Sequence, residues 1–189
     1  MFASRESILS LLNKVRTGFR HPGDLFLVGE SSLVLEDLGD FCNEVILSCR
    51  VAETDYAELC DVIDRAAQDE SLTVFIEHPA DVIPLPTGAS KRARPVTGLE
   101  DVSEFPLRIR HFDPYSVAIR FIARGDEPDY DLALSLLDAG WIEMREFQLK
   151  IEDLLPRFSY DTIQQDPAEF RRKIKGLFQM YKSNVLERT

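Results

Sequence analysis

Two carboxylates and one glycine–serine turn are the residues of this sequence whose types and spacing suit phosphate chemistry. Glu44 and Glu77 lie at the ends of predicted neighbouring strands, where paired carboxylates can hold a divalent metal that positions phosphates for in-line attack. Gly29, Ser31 and Ser32 join a predicted strand to a helix, and the N–H groups of such a turn can bind phosphate. Each feature also has a plain interpretation: exposed strand-end carboxylates, and a turn capped by serine.

Arginine residues form a second group that suits anions. Arg120 and Arg124 are four residues apart, so they share one face of a predicted helix. Asp129 and Asp131 open the next predicted helix. Either the two arginines face a triphosphate, or they form a structural ion-pair network with at least one of these aspartates. A further group of cations lies on or near a proline-rich loop: Lys91, Arg92, Arg94, Arg108 and Arg110.

The elements that must position these residues follow from the spacing of apolar side chains. The first half reads as alternating helices and strands: helix 4–19, strand 25–28, helix 31–38 closed by Gly39, a strand centred on 45–47, helix 55–68 capped by Thr54, strand 72–76 and strand 106–112. Ser4 caps the first helix without a full capping box. Residues 79–103 read as a loop, because they are rich in proline and glycine.

The second half reads as helical throughout, with helices over 115–123, 129–137, 145–154 and 167–186. The change near Phe112 predicts an α/β core with an N-terminal helix over residues 1–113 and a helical lobe, packed on that core, over 114–189. The expected fold class is therefore α/β (α+β), with a mixed sheet flanked by helices.

Composition excludes several classes of protein. The 189 residues carry a formal net charge of −11, which repels nucleic acid and argues against general DNA binding. No apolar run approaches the roughly 20 residues that cross a bilayer, so no membrane partner is expected. There is no secretory apolar region, and three cysteines without a CxxC spacing indicate reduced thiols in a cytoplasm. The three histidines are isolated, so no zinc site is expected.

Taken together, the motifs resemble the nucleotidyltransferase superfamily of the DNA polymerase β type. The resemblance is closest to small bacterial DUF6036 proteins, relatives of the AbiEii toxins of abortive-infection systems, and extends over residues 25–158. The segments that carry it are LFLVGESS at 25–32, LG at 38–39, NEVIL at 43–47, IPLPTG at 83–88 followed by Arg92 or Arg94, DPY at 113–115, RFIAR at 120–124 and DYD at 129–131.

This resemblance implies a minimal nucleotidyltransferase sheet with a helical lobe, and Mg²⁺ as the cofactor of active members. It implies nucleotide phosphates on Gly29, Ser31, Ser32, Arg92, Arg120 and Arg124, metal on Glu44 and Glu77, and Asp129 and Asp131 as the helical-lobe motif. The sequence departs from the family where paired aspartates are expected, because it has Glu44 and Ile46, and an alkyl side chain binds no metal.

Three hypotheses follow from this departure. The first is a nucleotidyltransferase-fold protein with a degenerate metal site, which binds a nucleotide, another phosphate or a protein partner. The second is an active Mg²⁺-dependent, toxin-like nucleotidyltransferase that uses Glu44 and Glu77. The third is a structural or interaction protein whose charge clusters stabilise the fold. The sequence leaves all three open.

Overall fold

The structure is a computed structural model that describes residues 2–81, 83–99, 104–158 and 166–187. The chain divides into two compact units. The first unit comprises Met1–His78 and Arg92–Phe112, and the second comprises Pro79–Lys91 and Asp113–Thr189. The expected fold class is confirmed, because a five-stranded mixed sheet is flanked by helices and the last described segment is a helix.

The first unit carries the sheet. Its helices are α1 (Arg5–Gly18), α2 (Ser31–Leu35) and α3 (Tyr56–Glu70), and its strands are β1 (Gly23–Leu27), β2 (Val45–Val51), β3 (Val74–Ile76), β4 (Arg94–Pro95) and β5 (Leu107–His111). The strand order is β3-β2-β1-β5-β4. Strand β1 is antiparallel to β2 and parallel to β5, while β2 is parallel to β3 and β4 is antiparallel to β5.

One face of this sheet forms the hydrophobic core with α1 and α3. Alternate residues of a strand point to the same face, so Leu25 and Leu27 of β1 lie in this core with their neighbours on β2 and β5. Helix α1 contributes Ile8, Leu11, Leu12 and Val15, all fully buried. Full burial of each such side chain stabilises the fold by about 1.5–3 kcal/mol. Residues 24 and 26 of β1 therefore belong to the opposite face.

The second unit contains four helices among its described residues: α4 (Pro114–Arg124), α5 (Glu127–Asp138), α6 (Met144–Leu154) and α7 (Pro167–Glu187). Phe121, Phe147 and Phe170 are fully buried in it. Helix α4 begins at buried Asp113, whose carboxylate accepts hydrogen bonds from the N–H groups of Tyr115 and Ser116.

Residues 79–91 belong to the second unit rather than to the core in which the sequence placed them. The Thr87 hydroxyl donates to the Asp153 carboxylate on α6 at 2.8 Å. The Arg157 guanidinium donates to the Leu85 carbonyl at 2.7 Å. These long-range hydrogen bonds attach the segment to the helices, and composition alone does not reveal them.

Several local predictions are wrong in detail. Ser4 forms a full capping box with Ser7. The Ser7 hydroxyl, at the third helical position, accepts a hydrogen bond from the Ser4 N–H, as a glutamate carboxylate would. Helix α2 ends at Leu35, and Asp37 rather than Gly39 takes the left-handed conformation, with φ +57°. Helix α3 follows a 3-10 turn over Glu53–Asp55, so Thr54 is not its cap. The supposed loop 79–103 includes the edge strand β4.

Candidate anion-binding site

The two carboxylates predicted to hold metal are not brought together. Strands β2 and β3 are parallel, with Val45 opposite Val74. Glu44 precedes β2, whereas Glu77 follows β3 and donates its N–H to the Leu47 carbonyl. Their positions therefore differ by four steps along the strands, about 13 Å at about 3.3 Å per residue. Oxygen ligands of one Mg²⁺ lie about 2.1 Å from the ion, so this pair does not fit a shared metal.

The glycine–serine turn is part of the buried interior rather than an open phosphate cradle. Ser31 and Ser32 are both buried. The Ser32 hydroxyl donates to the Leu27 carbonyl, and its N–H donates to the Gly29 carbonyl. A Cβ atom on Gly29 would lie 3.3 Å from the Cδ1 atom of Ile46, so the glycine permits close packing over this side chain. The residues thus form a closely packed strand-to-helix turn, but serine does not cap it, because Glu30 holds the N-cap position of α2 and makes no side-chain cap.

The surroundings of this turn are also negatively charged. Burial, together with the negative charges of Glu30 and Glu44, raises the pKa of the Cys42 thiol to about 12. A phosphate group would be repelled there.

One of the two arginines predicted on the helical lobe forms an ion pair within the second unit. The Arg124 guanidinium pairs with Asp129, which confirms the predicted ion pair for this arginine. The other carboxylate oxygen of Asp129 accepts the N–H of Asp126 at the start of α5. Arg120 is buried in α4, whereas Asp131 is exposed and has no ion-pair partner in the described part of the chain.

The loop cations are divided between the two units. Lys91 ends the segment that belongs to the second unit, and Arg92 begins the second segment of the first unit. Arg94 on β4 lies opposite His111, and Arg110 lies opposite Pro95. Arg108 forms an ion pair with a residue on another strand, Asp24, which the sequence motifs did not select.

That partner, Asp24, holds two arginines on the sheet face opposite the core. In the strand register Asp24 lies directly across from Arg50 on β2 and from Arg108 on β5. The Arg50 Nε atom donates to Asp24 Oδ2 at 3.1 Å, with Nη2 donating to the same oxygen. Arg108 Nη2 lies 2.8 Å from Asp24 Oδ1. We call Asp24, Arg50 and Arg108 the arginine clamp.

The clamp combines a buried anchor with accessible cations. The Asp24 side chain is 6% exposed, whereas the side chains of Arg50 and Arg108 are 63% and 49% exposed. The guanidinium of Arg50 lies 5.9 Å from the ring centroid of Phe26, the next residue of β1 on this face. Two cations and one anion leave a net positive charge, and the anchor restricts where both guanidinium groups lie.

The remaining donors of the clamp suit an oxyanion. Within the described residues, neither Nη1 of Arg50 nor Nε and Nη1 of Arg108 have a hydrogen-bond partner. Guanidinium N–H groups donate charge-assisted hydrogen bonds to phosphate and carboxylate oxygens. The one sequence signal was an aspartate next to the apolar run of β1, at a position that alternation places on the face away from the core.

A second polar cluster in this unit joins α2 to β5. The Glu36 carboxylate accepts hydrogen bonds from the N–H and hydroxyl groups of Thr97, and it lies 2.9 Å from Nε2 of buried His111. Burial acts to raise the pKa of Glu36, but these hydrogen bonds outweigh it and the pKa is lowered. Burial lowers the pKa of His111, although its hydrogen bond with Glu36 and the charge of Glu36 act to raise it. The sequence suggested that His111 is isolated, but in the structure it lies within hydrogen-bonding distance of Glu36.

Comparison of the chain with protein-family models, with curated proteins and with solved structures found no match. Within the described residues, no helix is both long and apolar enough to cross a membrane. The same ranges contain no group of three or more His, Cys, Asp and Glu side chains arranged to hold a metal ion. The arginine clamp is accordingly the candidate site of this protein.

Proposed function

We propose that this protein is a binding module for a phosphate-bearing ligand, with Arg50 and Arg108 as the ligand-binding residues and Asp24 as the residue that positions them. The observation that carries the proposal is the buried Asp24 carboxylate between two half-exposed guanidinium groups. Because Asp24 already orders both side chains, a ligand would not have to supply all of that ordering itself. The nucleotidyltransferase resemblance is compatible with this proposal, and a nucleotide is the ligand that it suggests.

Binding rather than Mg²⁺-dependent transfer is favoured by the positions of the predicted acids. Glu44 and Glu77 lie about four residue steps apart along β2 and β3. Ile46 is buried beside Gly29 and supplies no ligand atom. The proposal therefore assigns ligand affinity to arginine and requires no divalent metal.

Isothermal titration calorimetry tests this function. The full chain is titrated at low salt, with EDTA present, with ATP, with inorganic pyrophosphate and with citrate as a carboxylate control. We expect ATP and pyrophosphate to bind, and we expect Arg50→Gln and Arg108→Gln each to weaken binding at least tenfold, since each removes a charge-assisted contact worth about 1.5–3 kcal/mol. Arg65→Gln, an exposed arginine on α3, is the matched control.

The outcomes that count against the proposal are equally specific. If neither ATP nor pyrophosphate gives a heat of binding, the proposed function is refuted. Binding that survives both clamp substitutions would place the ligand elsewhere. Binding that requires Mg²⁺, together with transfer of labelled nucleotide to RNA or protein, would favour the nucleotidyltransferase hypothesis instead.

A further inference from the structure

Helix α7 carries a row of exposed cations in an otherwise acidic protein. Its buried side consists of Phe170, Ile174 and Leu177. Arg171, Lys175 and Lys182 lie on the opposite side, because they are separated by four and seven residues, and all three are exposed. We call these three residues, with their exposed neighbour Arg172, the basic stripe.

The basic stripe does not stabilise its own helix. Arg171 and Lys175 are like charges four residues apart, which repel each other. Within the described residues, Arg171, Lys175 and Lys182 have no ion-pair partner. Lys173 differs, because it donates to the Ala123 carbonyl at the end of α4 and pairs with Glu169. Lys173 is thus the cation of α7 that stabilises the second unit, whereas the residues of the basic stripe face solvent.

Helix α3 of the first unit carries the opposite pattern. Glu58, Asp61 and Asp64 are exposed at intervals of three residues, on the side opposite the buried apolar residues of α3. We call them the acidic stripe. Asp61 and Asp64 have no ion-pair partner among the described residues, although His21 lies 3.2 Å from Glu58. Arg65 is close by, and its Nε atom donates to the Asp61 carbonyl.

We propose that the basic stripe of one copy docks on the acidic stripe of a second copy of this chain. At about 1.5 Å per residue, the acidic stripe extends about 9 Å along α3, and Arg171 and Lys175 of the basic stripe lie about 6 Å apart along α7, so these charges can be matched along parallel or antiparallel helices. Each chain presents both stripes, and their signs are complementary. This inference goes beyond the proposed function, since it involves neither the arginine clamp nor a phosphate ligand.

Salt dependence distinguishes this association from an apolar one. Two copies with a net charge of −11 repel each other at long range. Salt at about 0.1 M limits that repulsion to roughly 10 Å, while ion pairs in direct contact are screened less. Association is therefore expected at about 0.1 M salt and is expected to disappear at about 1 M, where the Debye length falls to about 3 Å.

Sedimentation velocity on the full chain, with charge-reversed variants, tests the proposal. Arg171→Glu with Lys175→Glu gives one variant, and Asp61→Lys with Asp64→Lys gives the other. Each variant alone is expected to remain monomeric, because its two stripes now carry the same sign. An equal mixture of the two is expected to associate again, since the reversed stripes attract each other. Arg145→Glu on α6 is the control that should behave as the wild type does.

Three results would overturn the proposal. The first is a wild-type protein that remains monomeric at about 0.1 M salt. The second is a mixture of folded variants, checked by circular dichroism, that fails to associate. The third is binding of a short labelled single-stranded DNA that Arg171→Glu with Lys175→Glu abolishes in a monomeric protein, which would assign the basic stripe to nucleic acid. ATP titration is unaffected by any of these results.

Discussion

Removing both arginines of the clamp should lower the free energy of unfolding more than removing Asp24, which holds them. Asp24→Asn leaves two guanidinium groups that are 63% and 49% exposed and can be hydrated. We expect a loss of about 1.5–3 kcal/mol, the usual range for hydrogen bonds to charged groups. Arg50→Ala with Arg108→Ala instead leaves a 6% exposed carboxylate without a cation. Leaving a buried carboxylate without a cation costs up to about 3–5 kcal/mol, the range for a fully buried pair.

The triple variant provides the decisive comparison. Adding Asp24→Asn to the double arginine variant removes the uncompensated charge, so the triple variant should be more stable than the double variant. For a chain of this length, 3–5 kcal/mol corresponds to a decrease in Tm of roughly 6–20 °C. Urea unfolding and calorimetry give the free energy of unfolding and Tm for all four proteins. A triple variant that is no more stable than the double variant would refute the argument that Asp24 is a desolvated anchor.

Two further predictions concern pH and the core. Burial lowers the pKa of His111 from its ordinary 6.5, and the pKa of Glu36 is also lowered, because the hydrogen bonds from His111 and Thr97 outweigh its burial. The unfolded chain therefore binds more protons than the folded chain. The free energy of unfolding should fall as pH decreases below about 6.5. His111→Gln should reduce this slope in urea titrations at pH 7.5 and 5.5, and an unchanged slope would exclude the histidine as its source. Ile46→Asp should unfold the protein without creating Mg²⁺-dependent nucleotide binding. The reason is that a carboxylate beside Gly29 would be buried unpaired at a cost of several kcal/mol. A folded variant that binds Mg²⁺-ATP in calorimetry would contradict this prediction.

Local spacing allowed the sequence to predict most elements of the fold. The helix of residues 4–19 appears as α1, and the strand centred on 45–47 appears as the start of β2. These predictions succeed because helix and strand periods depend on residues within one or two turns of each other. Edge strand β4 and the attachment of residues 79–91 to the helices were missed, since both depend on contacts with distant segments.

The candidate site depended on strand pairing, which the sequence did not determine. Alternation along β1 places Asp24 on the face opposite Leu25, but it does not say which residues lie across from it. The pairing of β1 with β2 and β5 aligns Asp24 with Arg50 and Arg108. The parallel pairing of β2 with β3 likewise separates Glu44 from Glu77. Residue types showed that acids and arginines were present, and only the register of the folded sheet decided which of them meet, because pairing depends on burying the shared apolar face.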